Sequence, residues 1–146
     1  MPERESDEDL TEKTQLDSTL KSVDKAEAIV LKAARKLGFD DDEQHQIGMA
    51  VRECMVNAVV HGNRYSAHKK VHLDLSFSPG RLAITIGDEG AGFDMNALPD
   101  PLAPENLLRQ SGRGILLIRA FMDEFDLYPR AGGGTEVRLV KNLNKP

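Results

Sequence analysis

The chain has a single cysteine among its 146 residues, Cys54. One cysteine excludes a disulfide framework, and it excludes zinc or iron–sulfur sites that need several thiolates. No apolar run approaches the roughly 18 residues of a membrane span. The opening MPERESDEDL has neither the apolar core of a signal peptide nor the arginine-rich pattern of a transit peptide, so the expected compartment is the cytoplasm. Basic side chains do not dominate. Nineteen Lys and Arg stand against 24 Asp and Glu, a net charge of −5 with a pI near 5.4. That balance argues against bulk nucleic-acid or anionic-membrane binding. The common phosphate and hydrolase signatures are also missing. There is no GxxxxGK[ST] loop, no HExxH pair and no GxSxG elbow. The histidines at 45, 61, 68 and 72 lack a matched acidic or cysteine cluster, which speaks against a zinc site.

What remains is an ordinary globular composition, 40% hydrophobic and 29% charged. A chain of this length buries roughly 68–70% of its unfolded surface and needs no metal or disulfide to hold a core. Residues 1–15 carry six carboxylates and two basic side chains. With so little to bury, they read as a disordered acidic tail, and residues 16–146 as one domain. Leu16 and Leu20 flank a possible edge strand. Apolar residues at 23, 26, 30, 33 and 37 then mark a helix that stops at Gly38. Asp40, Asp41 and Asp42 offer caps for a second helix, with Ile47, Ala50, Val51, Cys54 and Ala58 inward, running to about His61.

The period then changes. Val71, Leu73, Leu75 and Phe77 alternate, Ser-Pro-Gly turns, and Leu82, Ile84 and Ile86 alternate, which predicts an antiparallel hairpin. A proline-broken loop follows, with Pro99, Pro101 and Pro104. A third helix begins near Gly112–Gly114, and strands around Asp126–Tyr128 and Thr135–Val140 close the chain. No repeat or low-complexity segment interrupts this order. Hairpin-linked strands with helices gathered elsewhere predict an α+β two-layer sandwich: a mixed, mostly antiparallel sheet with helices on one face.

Four segments carry chemistry. Glu53, Asn57 and His61 recur every fourth residue and share a helix face. A carboxylate there can accept a proton, and a carboxamide oxygen is a hard neutral ligand for Mg²⁺. Asp88-Glu-Gly90-Ala-Gly92-Phe93 follows an apolar strand. A strand-end carboxylate can take a hydrogen bond from an exocyclic amine, and glycines let a flat ligand approach. Gly112-Arg113-Gly114 opens a helix, where free N–H groups and an arginine favour phosphate. Gly132-Gly-Gly-Thr135 begins the last strand, with a hydroxyl within reach of a base-binding carboxylate. Taken alone, each segment also fits a structural role: a solvated helix face, a turn, a hinge, a hairpin loop.

Their order and spacing resemble the GHKL (Bergerat-fold) ATPases over roughly residues 16–142. Glu53-xxx-Asn57 is similar to the N box of that superfamily, Asp88-x-Gly90-x-Gly92 and Gly112-x-Gly114 to its glycine boxes, and the GGGT run ending at Thr135 to its last box. ECMVNAVVHGN, DEGAGFD, SGRGILLIRAFMDEF and GGGTEVRLV resemble the bacterial anti-sigma-factor serine/threonine kinases in particular. Sensor histidine kinases match less well, since the chain leaves no room for their preceding dimerisation helices.

The resemblance implies ATP and Mg²⁺ as cofactors. It gives Glu53 the role of general base, Asn57 that of Mg²⁺ ligand, and Asp88 that of adenine-binding carboxylate with Thr135 nearby. Gly90, Gly92 and Phe93 would shape the adenine pocket. Gly112, Arg113, Gly114 and Ile115 would sit at the phosphates, Arg113 acting catalytically, with residues 94–112 as a lid and His61 bordering the nucleotide. The implied activity is phosphorylation of a serine or threonine on a small antagonist protein, combined with sequestration of a sigma factor, commonly as a homodimer and without direct nucleic-acid or membrane contact. The alternative is an ATP-binding regulatory module that controls a partner and transfers no phosphate. A detached ATPase piece of a histidine-kinase system is a third possibility.

Overall fold

The computed structural model describes residues 10–91 and 114–143. The chain runs β1 (Leu10–Asp17), α1 (Lys21–Leu37), α2 (Asp41–Val56), a π-helix (Asn57–Gly62), β2 (Lys70–Ser78), β3 (Arg81–Gly87), α3 (Gly114–Phe121), β4 (Glu124–Pro129) and β5 (Thr135–Asn142). The two-layer α+β sandwich is as expected. Residues 10–15, expected within a disordered acidic tail, are ordered, because β1 begins at Leu10 and pairs along its whole length with β2, from Leu10 opposite Phe77 to Asp17 opposite Lys70. Thr11 to Gln15 have little to bury, and the β2 ladder supplies their order instead.

The five strands lie in the order β1-β2-β3-β5-β4. Where a mixed sheet was expected, all four pairings are antiparallel. The reason is topological. The crossover from β3 through α3 returns β4 parallel to β3, as such crossovers do. β5 then turns back and inserts between them, so no parallel ladder forms among the described residues.

One face of the sheet is covered. Leu73, Leu75, Leu82, Ile84, Ile86 and Leu139 are all but inaccessible, and burying each such side chain contributes about 1.5–3 kcal/mol. Against them lie Val23, Ala26, Val30, Ala33 and Ala34 of α1 and Ile47, Ala50, Val51 and Met55 of α2. The helix ends follow the chemistry of the sequence. Gly38 takes φ 95°, a left-handed conformation that suits glycine, and its N–H reaches the carbonyls of Ala34 and Arg35. Asp40 forms a capping box: Glu43 N–H donates to Asp40 Oδ1 at 2.7 Å, and Asp40 N–H donates to Glu43 Oε1 at 3.0 Å. The opposite face of the sheet is polar. Arg138 pairs with Glu124 at 3.1 Å and with Asp126 at 3.6 Å, and Lys13 lies 3.9 Å from Asp74. Such exposed pairs add little stability.

Among the described residues, no helix is long and apolar enough to cross a membrane. Cys54 points into the core, where burial, and secondarily the charge of Glu53, push its thiol well above the ordinary range. Thiolate is the reactive form, so Cys54 should resist iodoacetamide in the native protein and react readily in urea, with mass spectrometry as the readout.

Candidate functional site

The site begins where α2 changes its winding. From Asn57 to Gly62 the helix switches to i→i+5 bonding, and Asn63 N–H closes it on the Ala58 carbonyl at 2.8 Å. π-Turns of this kind concentrate at functional sites. Glu53 and Asn57 remain one turn apart, and the Asn57 N–H bonds the Glu53 carbonyl across the junction. Both side chains are half-buried, whereas His61 is exposed. Glu53 and Asn57 thus stay one α-turn apart, and the wider π-turn shifts His61 relative to them. Asn57 Oδ1 is buried and finds no hydrogen-bond partner among the described residues. An unsatisfied buried carbonyl costs about 1–3 kcal/mol. A cation, for which an amide oxygen is a suitable ligand, would relieve that cost.

Asp88 stands just beyond the end of β3 and is only 7% exposed. Its Oδ1 accepts from Gly90 N–H at 2.9 Å and Thr135 N–H at 3.2 Å, and its own N–H donates to the Thr135 carbonyl at 2.9 Å. Among the described residues no hydrogen bond reaches Oδ2, which leaves one carboxylate oxygen for a ligand. Burial raises the Asp88 pKa above the usual aspartate value. The Gly90 and Thr135 N–H groups, then the charges of Arg130 and Lys69, oppose that rise without cancelling it. Thr135 therefore meets Asp88 through its backbone.

Glycines make this packing possible. A Cβ on Gly134, which has φ 106°, would strike the Asp88 carbonyl, and one on Gly62 would strike the Asp88 carboxylate. A Cβ on Gly90 would strike the Gly62 carbonyl. The end of the π-helix, the turn after β3 and the start of β5 thus meet at one carboxylate.

Behind Asp88 the next side chain points elsewhere. Glu89 Oε2 lies 2.6 Å from His72 Nε2, and Glu89 Oε1 accepts from Lys70 N–H at 3.2 Å. These contacts, His72 foremost, hold Glu89 below the usual carboxylate range. Arg130 Nη2 lies 3.1 Å from the same His72 nitrogen. One nitrogen cannot both donate and accept, and the shorter contact favours Nε2–H donating to Glu89.

The structure therefore brings Asp88, Gly90 and Thr135 together at the end of the π-helix, and Asn57 begins that same helix with Glu53 one turn before it. Gly114 opens α3, and of Ile115 only its place in that helix is described. Gly92, Phe93, Gly112, Arg113 and the expected lid lie outside the described residues. Sequence reasoning missed Asn63, Glu89, His72 and Arg130. No spacing pattern marks any of them as lying near Asp88. Among the described residues, no group of three or more His, Cys, Asp or Glu side chains is placed to hold a metal ion. A cation here would draw on Asn57 and on its own ligands.

Residues 16–141 match the model of the histidine kinase-like ATPase domain. The anti-sigma F factor of Oceanobacillus iheyensis is 34% identical over 108 residues, which cover 71% of this chain and 73% of that protein. The anti-sigma F factor of Bacillus subtilis is 33% identical over the same shares. Among solved structures, the RsbU and RsbW domains of Rv1364c from Mycobacterium tuberculosis align over 94% of this chain with a TM-score of 0.66 at 20% identity. This chain spans a third of that longer protein. The catalytic domain of the histidine kinase ThkA aligns over 90% of this chain with a TM-score of 0.51 at 12% identity. These two neighbours share the sandwich fold, and the arrangement around Asp88 and Asn57 falls within the matched family region. The chain belongs to the histidine kinase-like ATPase family, on the branch that holds the anti-sigma F factors.

Proposed function

We propose that this protein is an ATP-dependent serine/threonine kinase and anti-sigma factor. It would phosphorylate a small antagonist protein and sequester a sigma factor, working as a cytoplasmic homodimer. The observation that carries this reading is the caged carboxylate of Asp88. Its Oδ1 is occupied by two backbone N–H groups, which leaves Oδ2 to accept from the 6-amino group of adenine. An anti-sigma role is supported by the curated relatives, which carry that name. The retained Glu53 supports transfer over mere nucleotide sensing.

The residues fit ATP and Mg²⁺. Asn57 would hold the metal through its unsatisfied Oδ1, and the metal would supply charge neutralisation for the phosphates. The resemblance would have Gly112, Arg113, Gly114 and Ile115 offer N–H groups and a guanidinium to the phosphates. Glu53, one helical turn from Asn57, would accept the proton of the acceptor hydroxyl. Gly90 and Thr135 hold Asp88 in place through the main chain, Gly92 and Phe93 would line the base, and His61 would border it. Positioning and electrostatics supply most of the rate in such transfers.

Two experiments follow. Incubation with Mg-ATP and the antagonist should leave acid-stable phosphate on a serine or threonine, and acid-labile phosphate would refute this assignment in favour of histidine chemistry. In calorimetric titration, Asn57→Ala should lose the part of ATP affinity that Mg²⁺ adds. The same change removes a buried unsatisfied carbonyl and raises helix propensity, so the nucleotide-free variant should unfold at equal or higher urea. A lower midpoint with intact Mg²⁺ dependence would count against the metal role.

A further inference from the structure

Asn63 touches no nucleotide in the reading above, yet it is only 1% exposed and its amide is fully engaged. Nδ2 donates to Ser18 Oγ at 2.9 Å and to the Lys70 carbonyl at 3.0 Å. Oδ1 accepts from Glu89 N–H at 2.7 Å. The Ser18 hydroxyl in turn donates to the Lys69 carbonyl at 2.6 Å. One side chain thus joins the segment after β1, the start of β2 and the turn after β3, reaching partners 45, 7 and 26 positions away. Burying an amide is costly unless each polar atom is paired, and here each one is.

The connection to Asp88 is covalent and short. Glu89 N–H belongs to the peptide that links Asp88 to Glu89, so the Asn63 carbonyl fixes the plane of that peptide. Gly90 and Thr135 hold the Asp88 side chain from the other direction. Asn63 also follows Gly62, whose missing Cβ leaves the room that the Asp88 carboxylate occupies. Its own N–H closes the π-helix that carries Asn57.

We propose that Asn63 is a positioning residue for base recognition: it clamps the Asp88–Glu89 peptide to the end of the π-helix and so holds the adenine-selecting carboxylate in register with Asn57. This rests on the reading of Asp88 as the adenine carboxylate.

The test compares full-length wild type, Asn63→Ala, Asn63→Asp and Ser18→Ala by calorimetric titration with Mg-ATP and with Mg-GTP, alongside urea unfolding. Asn63→Ala should weaken ATP binding by roughly 10- to 100-fold and shrink the preference for ATP over GTP. Asn63→Asp keeps an acceptor for Glu89 N–H and loses both donors, so it should unfold at lower urea and still prefer ATP. Ser18→Ala should lower the urea midpoint and leave the ATP-to-GTP ratio unchanged. A purely structural role would lower all three midpoints and move no ratio, which overturns the proposal. If Asn63→Ala does not fold, Asn63→Asp decides: folded protein that no longer prefers ATP defeats the clamp. Wild type that binds no ATP would instead defeat the Asp88 reading, and with it the basis for this one. Wild type that binds while Asn63→Ala binds equally well would defeat the clamp alone.

Discussion

Replacing Glu53 with alanine should reduce phosphoryl transfer to the acceptor by about 10²- to 10⁴-fold, the range general-base catalysis contributes, while ATP affinity stays within a few-fold of wild type. The split follows from position. Glu53 sits in the last turn of α2, half-buried, one turn before Asn57. Asp88 and its glycine cage belong to the turn after β3, the end of the π-helix and the start of β5. A change at Glu53 removes a proton acceptor and leaves the base pocket intact. Glu53→Gln tests the same point more narrowly, since it keeps the shape and hydrogen-bonding reach of the side chain and removes only its basicity. Single-turnover phosphorylation separates chemistry from binding. Loss of ATP affinity equal to the loss of rate would show that Glu53 serves the nucleotide instead.

The second large effect belongs to Asp88. Asp88→Asn should lose most ATP affinity, because an amide NH₂ would face the adenine amine where an acceptor is needed. The fold should not suffer. Burial raises the Asp88 pKa, and for an acid that sign means the ionised form is disfavoured in the folded state. Its ionisation therefore costs stability, and the cost grows as pH rises from the unfolded value of 3.8 through the higher folded value. Asparagine removes that cost and keeps an oxygen for the Gly90 and Thr135 N–H groups. At neutral pH the variant should unfold at equal or higher urea than wild type, a trade of stability for function. The same sign governs ligand binding: acidification through the raised pKa protonates Asp88, so ATP affinity should fall at a higher pH than an ordinary aspartate would cause. Unchanged affinity in Asp88→Asn would remove the assignment of this carboxylate to adenine.

Much of this was legible in the residues. The α1 stripe at Val23, Ala26, Val30 and Ala33 and the alternation through β2 and β3 arise from local periodicity, and tertiary packing kept both. Asp40 as a cap and Gly38 as a stop followed from side-chain chemistry in the same way. The insertion of β5 between β3 and β4 was not legible, since strand order depends on pairings distant in sequence. Nor was the π-turn at Asn57: a shift from i→i+4 to i→i+5 leaves the apolar pattern almost unchanged over six residues. The boundary of the tail failed for a related reason. Lys13 and Gln15 carry no burial signal, yet the ladder to Asp74 and His72 orders them.

Asp88 was marked by its glycines, whose need arises from close approach to that carboxylate. Asn63 was invisible because its partners Ser18, Lys70 and Glu89 come together only in the fold.

The most direct measurement is calorimetric titration of the purified protein with ATP, with and without Mg²⁺, for wild type and Asp88→Asn. Saturable binding that Mg²⁺ strengthens, lost in Asp88→Asn, is the expected result. Absence of binding at millimolar ATP, or equal binding by both proteins, would contradict a nucleotide site built on Asp88.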